Sequence, residues 1–355
     1  MGSAATGALG VPHRSARGRR SPALGLVVPL PVERWRARRM VCRGDASRRG
    51  LPGDTVCRVL AGAGDLEGGR LLTMIHFEKV EGLGNHFVLI DETQAQCEDW
   101  PSLARAVCAE GTGVGADGLL VVAPPSDAGV LRAMRMYNPD GTEDMCGNGL
   151  RCIAHVAVAD YAEDAGRAVH IETIAGTREA RVWDADSVEA TVRASLGCPQ
   201  LKPEAMPASF PGESVLGEDL GVGGRVLRVC LVSMGTPHCV IFGPHPTEAV
   251  FRELSPMIEE HPRFPERISV MWAEEVSSHE LSLRIWERAA GETLACGTGA
   301  AASAVAGILT GRVESPVAVS MPGGALTIEW LGTDAEVYQV GPSRRVYTGR
   351  WFVYD

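Results

Sequence analysis

Two short stretches of the sequence place a cysteine directly before a Gly-x-Gly turn and a helix-prone run. They read DMCGNGLRC, from Asp144 to Cys152, and LACGTGAAA, from Leu294 to Ala302. A cysteine just before a helix lies where unsatisfied N–H groups and the helix dipole stabilise negative charge, which predicts a lowered thiol pKa. The same N–H groups can bind a carboxylate. Each turn therefore predicts a reactive thiolate beside a carboxylate-binding nest.

The two cysteines, Cys146 and Cys296, lie 150 residues apart in matching surroundings. Each half of the chain from residue 74 reads strand, glycine turn, helix, strand, loop, Cys-Gly-x-Gly, helix and strands, which indicates a diverged internal duplication. If the halves pack about a pseudo-two-fold axis, the thiols face each other. A carbon acid between them would lose a proton to one side and gain a proton from the other. This arrangement predicts inversion of a stereocentre without a cofactor or a metal.

Periodicity predicts the elements that hold these turns. The segment MIHFEKVEG, from Met74, alternates apolar and polar residues as a strand does. Helices are predicted over Ser102–Glu110, with Ser102 as the N-cap, over Thr247–His261, and after each cysteine turn, the first of these ending near Ala162. Most of the remaining segments read as strands joined by short turns, and PGGAL reads as a hairpin turn.

Composition limits the class of protein. The chain has 355 residues, of which 45% are hydrophobic and 22% charged, enough for two globular domains with their own cores. No apolar run is long enough to span a membrane. The ten cysteines are scattered, without a secretory signal or zinc spacing, which favours the reducing cytoplasm. Residues 74–355 hold 21 basic and 39 acidic residues, a net charge of −18, which argues against a nucleic-acid partner.

The first 73 residues differ from the rest, since they hold 13 of the 34 basic residues and only 5 of the 44 acidic ones. A transit peptide and a nucleic-acid-binding arm are the functional interpretations of such a segment. We favour a disordered extension, or one translated from an upstream start, over residues 1–73. Whether the mature protein keeps this segment is left open.

The body of the chain, residues 74–355, resembles the diaminopimelate epimerase family. The motifs that carry the resemblance are FEKVEGLGNHFVLID, YNPDGTEDMCGNGLRC, SMGTPHCV, HPRFPERI and ERAAGETLACGTGAA. It implies an α/β (α+β) fold of two similar pseudo-symmetric domains, each a curled, mostly antiparallel sheet around a central helix, with the active site in the cleft between them. We assign residues 74–190 plus 342–355 to the first domain and 191–341 to the second.

The family's activity is the pyridoxal-independent epimerisation of LL-diaminopimelate to meso-diaminopimelate, in lysine and peptidoglycan synthesis. By matching positions, Cys146 and Cys296 are the acid/base pair, and His238 and Glu287 assist them. Glu287 and Arg288 match the pair that holds the distal amino and carboxylate groups, for which an arginine fork is well suited. The other matched substrate-binding positions are Asn85, Asn138, Gly147, Asn148, Gly297 and Thr298. A homodimer is a further implication of the resemblance.

Two positions depart from the family pattern. Thr236 and Ser269 stand where asparagines usually help to hold the far end of the substrate, and a bridging water could restore contact with their shorter hydroxyl groups. The exact substrate is therefore open. One alternative is a histidine- or proline-type racemase on the same scaffold, and another is a non-catalytic ligand-binding module. Oxidation of the two facing thiols is a further hypothesis, of redox regulation.

Overall fold

The computed structural model describes residues 59–60, 66–67, 70–71, 73–161, 168–183, 185 and 188–353. Most of the segment 1–73 lies outside these ranges, so the prediction that it is disordered stays a prediction. Its described residues include three two-residue strands, β1 Val59–Leu60, β2 Leu66–Glu67 and β3 Arg70–Leu71. The first long strand begins at Thr73, one residue before the predicted start at Met74.

The first half of the described chain builds a sheet around one helix. Its elements are β4 Thr73–Gly82, β5 Asn85–Asp91, β6 Gln96–Cys97, α1 Trp100–Cys108, β7 Gly118–Ala123, β8 Arg132–Tyr137, β9 Glu143–Asp144, α2 Gly147–Tyr161, β10 Ala168–Glu172, β11 Arg178–Trp183 and β12 Glu189–Gly197. Helix α2 contacts β4, β7, β8, β10, β11 and β12, so strands surround it. Strand β5 is apolar on both faces, because Phe87 and Leu89 pack in the core around α2 whereas Val88 and Ile90 pack in the core under α1.

The second half repeats this arrangement. Its elements are a 3₁₀ turn at Pro203–Ala205, β13 Leu216–Val222, β14 Arg225–Ser233, β15 Pro237–Phe242, α3 Glu248–Glu259, β16 Ser269–Ser277, β17 Glu280–Glu287, β18 Gly291–Glu292, α4 Gly297–Leu309, β19 Val317–Met321, β20 Gly324–Glu329 and β21 Val337–Val353. Helix α4 contacts β14, β15, β16, β17, β19, β20 and β21. Its small side chains, Ala300 to Ala302 among them, are fully buried, which lets the sheet close tightly around it.

Strand pairing confirms the predicted duplication. The series β4–β5–β7–β8–β9 pairs antiparallel, parallel, antiparallel and antiparallel, and β14–β15–β16–β17–β18 does the same. Strand β10 lies parallel to β8 and antiparallel to β11, as β19 does to β17 and β20. The predicted fold of sheets curled around central helices is therefore confirmed.

Strand β21 connects the two halves. It pairs with β20 in the second half and with β4 in the first, and β12 runs antiparallel along its beginning. The predicted boundary at residue 342 falls inside this continuous strand, between its pairing with β20 and its pairing with β4. The domain assignment itself stays a prediction.

The helices agree with the sequence prediction except at one start. Helix α1 begins at Trp100 because Asp99, rather than Ser102, is its N-cap: the Asp99 side chain accepts a hydrogen bond of 3.0 Å from Ser102 N. Helix α3 is confirmed, with Thr247 as N-cap. The predicted hairpin turn at PGGAL joins β19 to β20. In the described part of the chain, none of the helices has the length and apolar character needed to cross a bilayer.

Candidate active site

The two cysteines cap their helices through the same hydrogen bond. Gly149 N donates to Cys146 Sγ at 3.4 Å, and Gly299 N donates to Cys296 Sγ at 3.4 Å. In each case the donor is the third residue after the cysteine, in the first turn of α2 or α4. The sequence prediction that each sulfur lies at the N–H groups of a helix start is therefore confirmed.

The beginnings of these two helices contact each other. A Cβ atom built on Gly297 would lie 3.1 Å from Asn148 Oδ1 and 3.8 Å from Asn148 N. Glu287, at the end of β17, is near enough to both thiols that its negative charge raises the pKa of Cys146 and that of Cys296. The structure thus brings together two turns that are 150 residues apart in sequence.

Burial controls the protonation of both thiols. Desolvation raises the pKa of Cys146 to about 11 and raises the pKa of Cys296, which is 5% exposed, well above its usual range. Hydrogen bonds from Gly149 and Gly299 act in the opposite direction, and the Glu287 charge adds to the rise. The prediction of lowered pKa values is therefore wrong, because loss of water outweighs the helix N–H groups. Both cysteines are neutral thiols at neutral pH.

Asn85 connects the first cysteine turn to a carboxylate. Asn85 Oδ1 accepts a hydrogen bond of 3.1 Å from Asn148 Nδ2 and one of 3.8 Å from Cys146 Sγ. Its Nδ2 donates to Asp117 Oδ2 at 2.9 Å. Because an ionised carboxylate only accepts hydrogen bonds, Asp117 determines which end of the Asn85 amide points at the thiol. Sequence analysis missed Asp117, although its place between a glycine turn and the buried strand β7 was visible.

In the second half, hydroxyl groups lie near the cysteine where the first half has the Asn85 amide. Thr236 Oγ1 donates to Thr298 Oγ1 at 3.2 Å, and Thr298 Oγ1 lies 3.5 Å from Cys296 Sγ. His238 Nε2 is 3.2 Å from Thr236 Oγ1, so two hydroxyl groups connect this histidine to the thiol. Burial, with a smaller effect of the Arg288 charge, lowers the pKa of His238 to about 3. The imidazole is therefore neutral at physiological pH.

The predicted pair Glu287 and Arg288 lies beside this second turn. Glu287 accepts a hydrogen bond of 2.6 Å from Thr293 Oγ1, and burial raises the pKa of its carboxyl group. Arg288 N donates to Ser269 Oγ at 3.1 Å, and its guanidinium donates to Glu266 O at 3.4 Å. The Ser269 hydroxyl therefore accepts a hydrogen bond from the backbone of Arg288, just after the end of the neighbouring strand β17.

The side-chain hydrogen bond of Asn138 does not reach any of the other predicted site residues. Its Nδ2 donates to Thr142 Oγ1 at 3.0 Å, within the turn between β8 and β9 that leads to Cys146. A role in substrate binding stays a prediction. Among the described residues, no group of three histidine, cysteine or acidic side chains is arranged to hold a metal ion.

Solved structures with the same architecture define the fold class. A hydroxyproline epimerase from Agrobacterium vitis aligns with a TM-score of 0.57 and 14% identity, over 79% of this chain and 91% of that chain. A phenazine biosynthesis protein of the PhzF family from Bacillus anthracis aligns with a TM-score of 0.57 and 15% identity, over 79% and 100%. These similarities show that the chain has the fold of this group of epimerases and PhzF proteins.

Sequence comparison identifies the family within that fold class. The family model described as "Diaminopimelate epimerase" matches residues 77–201 and 230–346. A diaminopimelate epimerase from Moorella thermoacetica is 45% identical over 278 residues, which cover 78% of this chain and 98% of the relative. One from Desulforudis audaxviator is 44% identical over 283 residues, covering 78% and 99%. The chain belongs to the diaminopimelate epimerase family, which confirms the resemblance found in its motifs.

Proposed function

We propose that the protein epimerises one α-carbon of diaminopimelate, interconverting the LL and meso forms, with Cys146 and Cys296 as the acid/base pair. One observation carries this proposal: two cysteine-capped helix starts are in contact, and the single carboxyl group of Glu287 acts on both thiols. Membership of the family, with relatives named diaminopimelate epimerase, supports the choice of substrate.

The contacting helix starts are suited to the substrate's α-carboxylate. The N–H groups at Gly147 and Asn148, and those at Gly297 and Thr298, belong to the first turns of the two helices. The carboxylate bound there would take up charge as the α-carbon loses its proton, and fixed N–H donors stabilise that charge best where water is excluded. This arrangement lowers the barrier to forming the carbanion.

The raised pKa values set a requirement for catalysis, because one thiol must lose its proton before it can act as a base. Glu287 interacts with the Cys296 thiol and has a raised pKa itself, so it is placed to take that proton. The resulting thiolate removes the α-proton from one face of the substrate. The Cys146 thiol then donates its proton to the opposite face, which inverts the centre. The forward step leaves Cys146 as the thiolate and Cys296 as the thiol, which is the state that starts the reverse reaction, with the two sulfurs in exchanged roles.

Incubation of LL-diaminopimelate with the protein in heavy water tests this mechanism. We expect deuterium at the inverted carbon of the product from the first turnovers, while the remaining substrate keeps hydrogen, because the entering and leaving protons use different thiols. Equally rapid exchange into the substrate would contradict the two-thiol mechanism. Histidine and proline are assayed in parallel, and turnover of either in place of diaminopimelate would reject the substrate assignment.

We also propose that the protein works in the cytoplasm as a homodimer on a free amino acid. A net charge of −18 over residues 74–355 supports a small-molecule substrate rather than nucleic acid. The cysteines described in the structure are free thiols, which is typical of a reducing compartment. Sedimentation of the purified protein tests the oligomeric state, and fractionation of expressing cells tests the location.

A further inference from the structure

Helix α2 contains a buried arginine that has no counterpart in helix α4. Arg151 is 0% exposed, and the residue 150 positions later is Ala301. Arg151 Nη1 donates to Gln339 Oε1 at 2.6 Å, and Arg151 Nε donates to Pro342 O at 3.2 Å. Within the described residues, Nη2 has no hydrogen-bond partner. The guanidinium is thus a buried cation bonded to uncharged oxygens, an arrangement that costs stability and calls for an explanation.

Gln339 connects this arginine to the starts of both helices. Gln339 lies on β21, the strand shared by the two halves, and is 0% exposed. Its Nε2 donates to Gly147 O at 2.6 Å, in the first turn of α2. Its Oε1 would lie 2.8 Å from a Cβ atom built on Gly297, the first residue of α4. One amide group therefore contacts Arg151 and the beginnings of α2 and α4.

Glycines provide the space for these two side chains. A Cβ atom on Gly82 would lie 3.0 Å from Arg151 Nη2, and one on Gly341 would lie 3.4 Å from Arg151 Nε. A Cβ atom on Gly147 would lie 2.8 Å from Gln339 Nε2. Gly82 therefore leaves room for Arg151 and Gly147 leaves room for Gln339, whereas the contact of Gly341 with Arg151 is of ordinary length. Two separate segments of the chain thus make space for this buried pair.

The titratable groups that face Arg151 are neutral acids or anions. They are the thiol of Cys152 on the same helix, the thiol of Cys146 that caps this helix, and the carboxyl group of Glu81 on β4. Glu287, from β17, faces Cys146 as well. The proposed reaction places two further negative charges, a thiolate and the substrate's α-carboxylate, at the two helix starts. Arg151 is a buried positive charge in α2, the helix whose start would hold one of these negative groups.

We propose that Arg151 and Gln339 are positioning residues of the two-thiol site. Gln339 positions the start of α2, against which the start of α4 lies, and the permanent charge of Arg151 stabilises the Cys146 thiolate that remains after Cys146 has given its proton to the substrate. The consequence for turnover rests on the proposed function. The effect on the thiols does not, and it can be measured without any substrate.

Arg151→Met and Arg151→Lys form a matched pair, since both side chains are unbranched and only lysine keeps the charge. Each variant is labelled with iodoacetamide across a range of pH, and mass spectrometry measures Cys146 and Cys296 separately. In Arg151→Met we expect labelling of Cys146 at fixed pH to slow several-fold, with a smaller change at Cys296, because the positive charge that favours the Cys146 thiolate is lost. Arg151→Lys should retain most of the Cys146 rate. An unchanged Cys146 rate, or equal slowing of both cysteines, would overturn the charge role.

Circular dichroism first establishes that each variant is folded. If Arg151→Met is not, Arg151→Gln replaces it, because the neutral amide removes the charge and keeps hydrogen-bonding groups in the cavity. Slower labelling of Cys146 in that variant supports the proposal, and an unchanged rate overturns it. If the wild-type protein does not turn over diaminopimelate, the proposed function fails while the labelling still decides the role of Arg151.

The role of Gln339 is tested with dibromobimane, which becomes fluorescent when it bridges two neighbouring thiols. Gln339→Met removes both hydrogen bonds of the amide at similar volume. We expect folded Gln339→Met to bridge Cys146 and Cys296 several-fold less efficiently than the wild-type protein, because the start of α2 loses the hydrogen bond to Gly147 O that positions it against α4. Equal bridging in the two proteins would overturn this role.

Discussion

The two cysteine turns have the same backbone design and different polar side chains. The turn between β4 and β5 supplies Asn85 to the first cysteine turn, directly after the positive-φ Gly84, and its amide contacts Asn148 and the carboxylate of Asp117. The turn between β14 and β15 supplies Thr236 to the second, directly after the positive-φ Gly235, and its hydroxyl contacts Thr298 and a neutral histidine. Duplication thus kept the backbone features that cap each helix with a thiol, and divergence changed the groups around it.

Charge separates the two turns further. Glu287 belongs to the second half and raises the pKa of both thiols, whereas Arg151 belongs to the first half and opposes the rise only at Cys146. The pKa of Cys146 therefore responds to a negative and a positive charge, whereas that of Cys296 responds to the negative charge of Glu287. The comparison teaches that two thiols with equivalent backbone positions are unequal acids, which suits a pair that must hold different protonation states at the start of each turnover.

Replacing either thiol should have the largest effect. Cys146→Ser and Cys296→Ser should each lower kcat for diaminopimelate by about 10²–10⁴-fold, the usual contribution of a positioned acid or base, because a hydroxyl is far less acidic than a thiol. Steady-state kinetics measure this. Cys198→Ser, at an exposed cysteine, is the matched control and should leave kcat unchanged. Full activity in either site variant would remove the basis for treating the turns as a pair.

Replacing Glu287, whose charge affects the pKa of both thiols, should have the next largest effect. Glu287→Gln should lower turnover by roughly 10- to 100-fold, because the proton acceptor beside Cys296 is lost. The same change should lower the pKa of both thiols, since a negative neighbour that disfavours the thiolate has gone. Iodoacetamide labelling should therefore begin at lower pH, with the larger change at Cys296. Labelling that does not change at either cysteine would contradict the assignment of Glu287.

The amide network of the first turn is tested by Asp117→Asn. An asparagine can donate as well as accept, so it no longer determines the orientation of Asn85. We expect kcat/KM to fall by about tenfold, equivalent to roughly one charge-assisted hydrogen bond. Asp219→Asn, at an exposed position of β13, is the control and should behave as the wild-type protein. If the two variants show the same kinetics, Asp117 does not orient the site.

The hydroxyl network of the second turn should tolerate change better. Thr236→Val keeps the shape of the side chain and removes its hydrogen bonds to Thr298 and His238. Loss of about 0.5–1.5 kcal/mol corresponds to a roughly 2- to 10-fold decrease in kcat/KM. Assays with diaminopimelate, histidine and proline measure this decrease and any change of preference. A loss as large as that in the cysteine variants would mean that the second turn depends on Thr236 for the chemistry itself.

The smallest expected effect concerns stability in acid. Because the pKa of His238 is lowered to about 3 in the folded protein, unfolding takes up a proton between that value and the ordinary value of about 6.5. Above about pH 6.5 His238 is neutral in both states, so it does not reduce the stability of the folded protein. As the pH falls through that range, the unfolded state takes up the proton and the folded protein becomes less stable relative to it. Thermal unfolding at about pH 7.5 and about pH 5 should therefore show a smaller acid-induced decrease in Tm for His238→Gln than for the wild-type protein. The exposed His279→Gln is the control, and an equal decrease in all three proteins would contradict this assignment.

Much of the architecture was predictable because its causes are local. The cysteine-capped helix starts follow from a hydrogen bond that spans three residues, and the strands follow from apolar periodicity over short windows. The order of these elements in the two halves was enough to indicate the duplication. The N-cap of α1 was misplaced by three residues, because Asp99 and Ser102 are both good caps and Pro101 is compatible with the first turn of a helix, so the helix can begin before Ser102.

The properties that decide the chemistry depend on residues far apart in the chain. The Arg151–Gln339 hydrogen bond joins positions 188 residues apart, and the pKa of each thiol depends on water exclusion by strands from the whole fold. The sequence by itself determined where the thiols, glycines and helix starts are, since each is set by its nearest neighbours. Only the tertiary structure decided that the thiols are neutral and that the buried cation Arg151 affects Cys146, because desolvation and long-range charge are properties of the packed molecule.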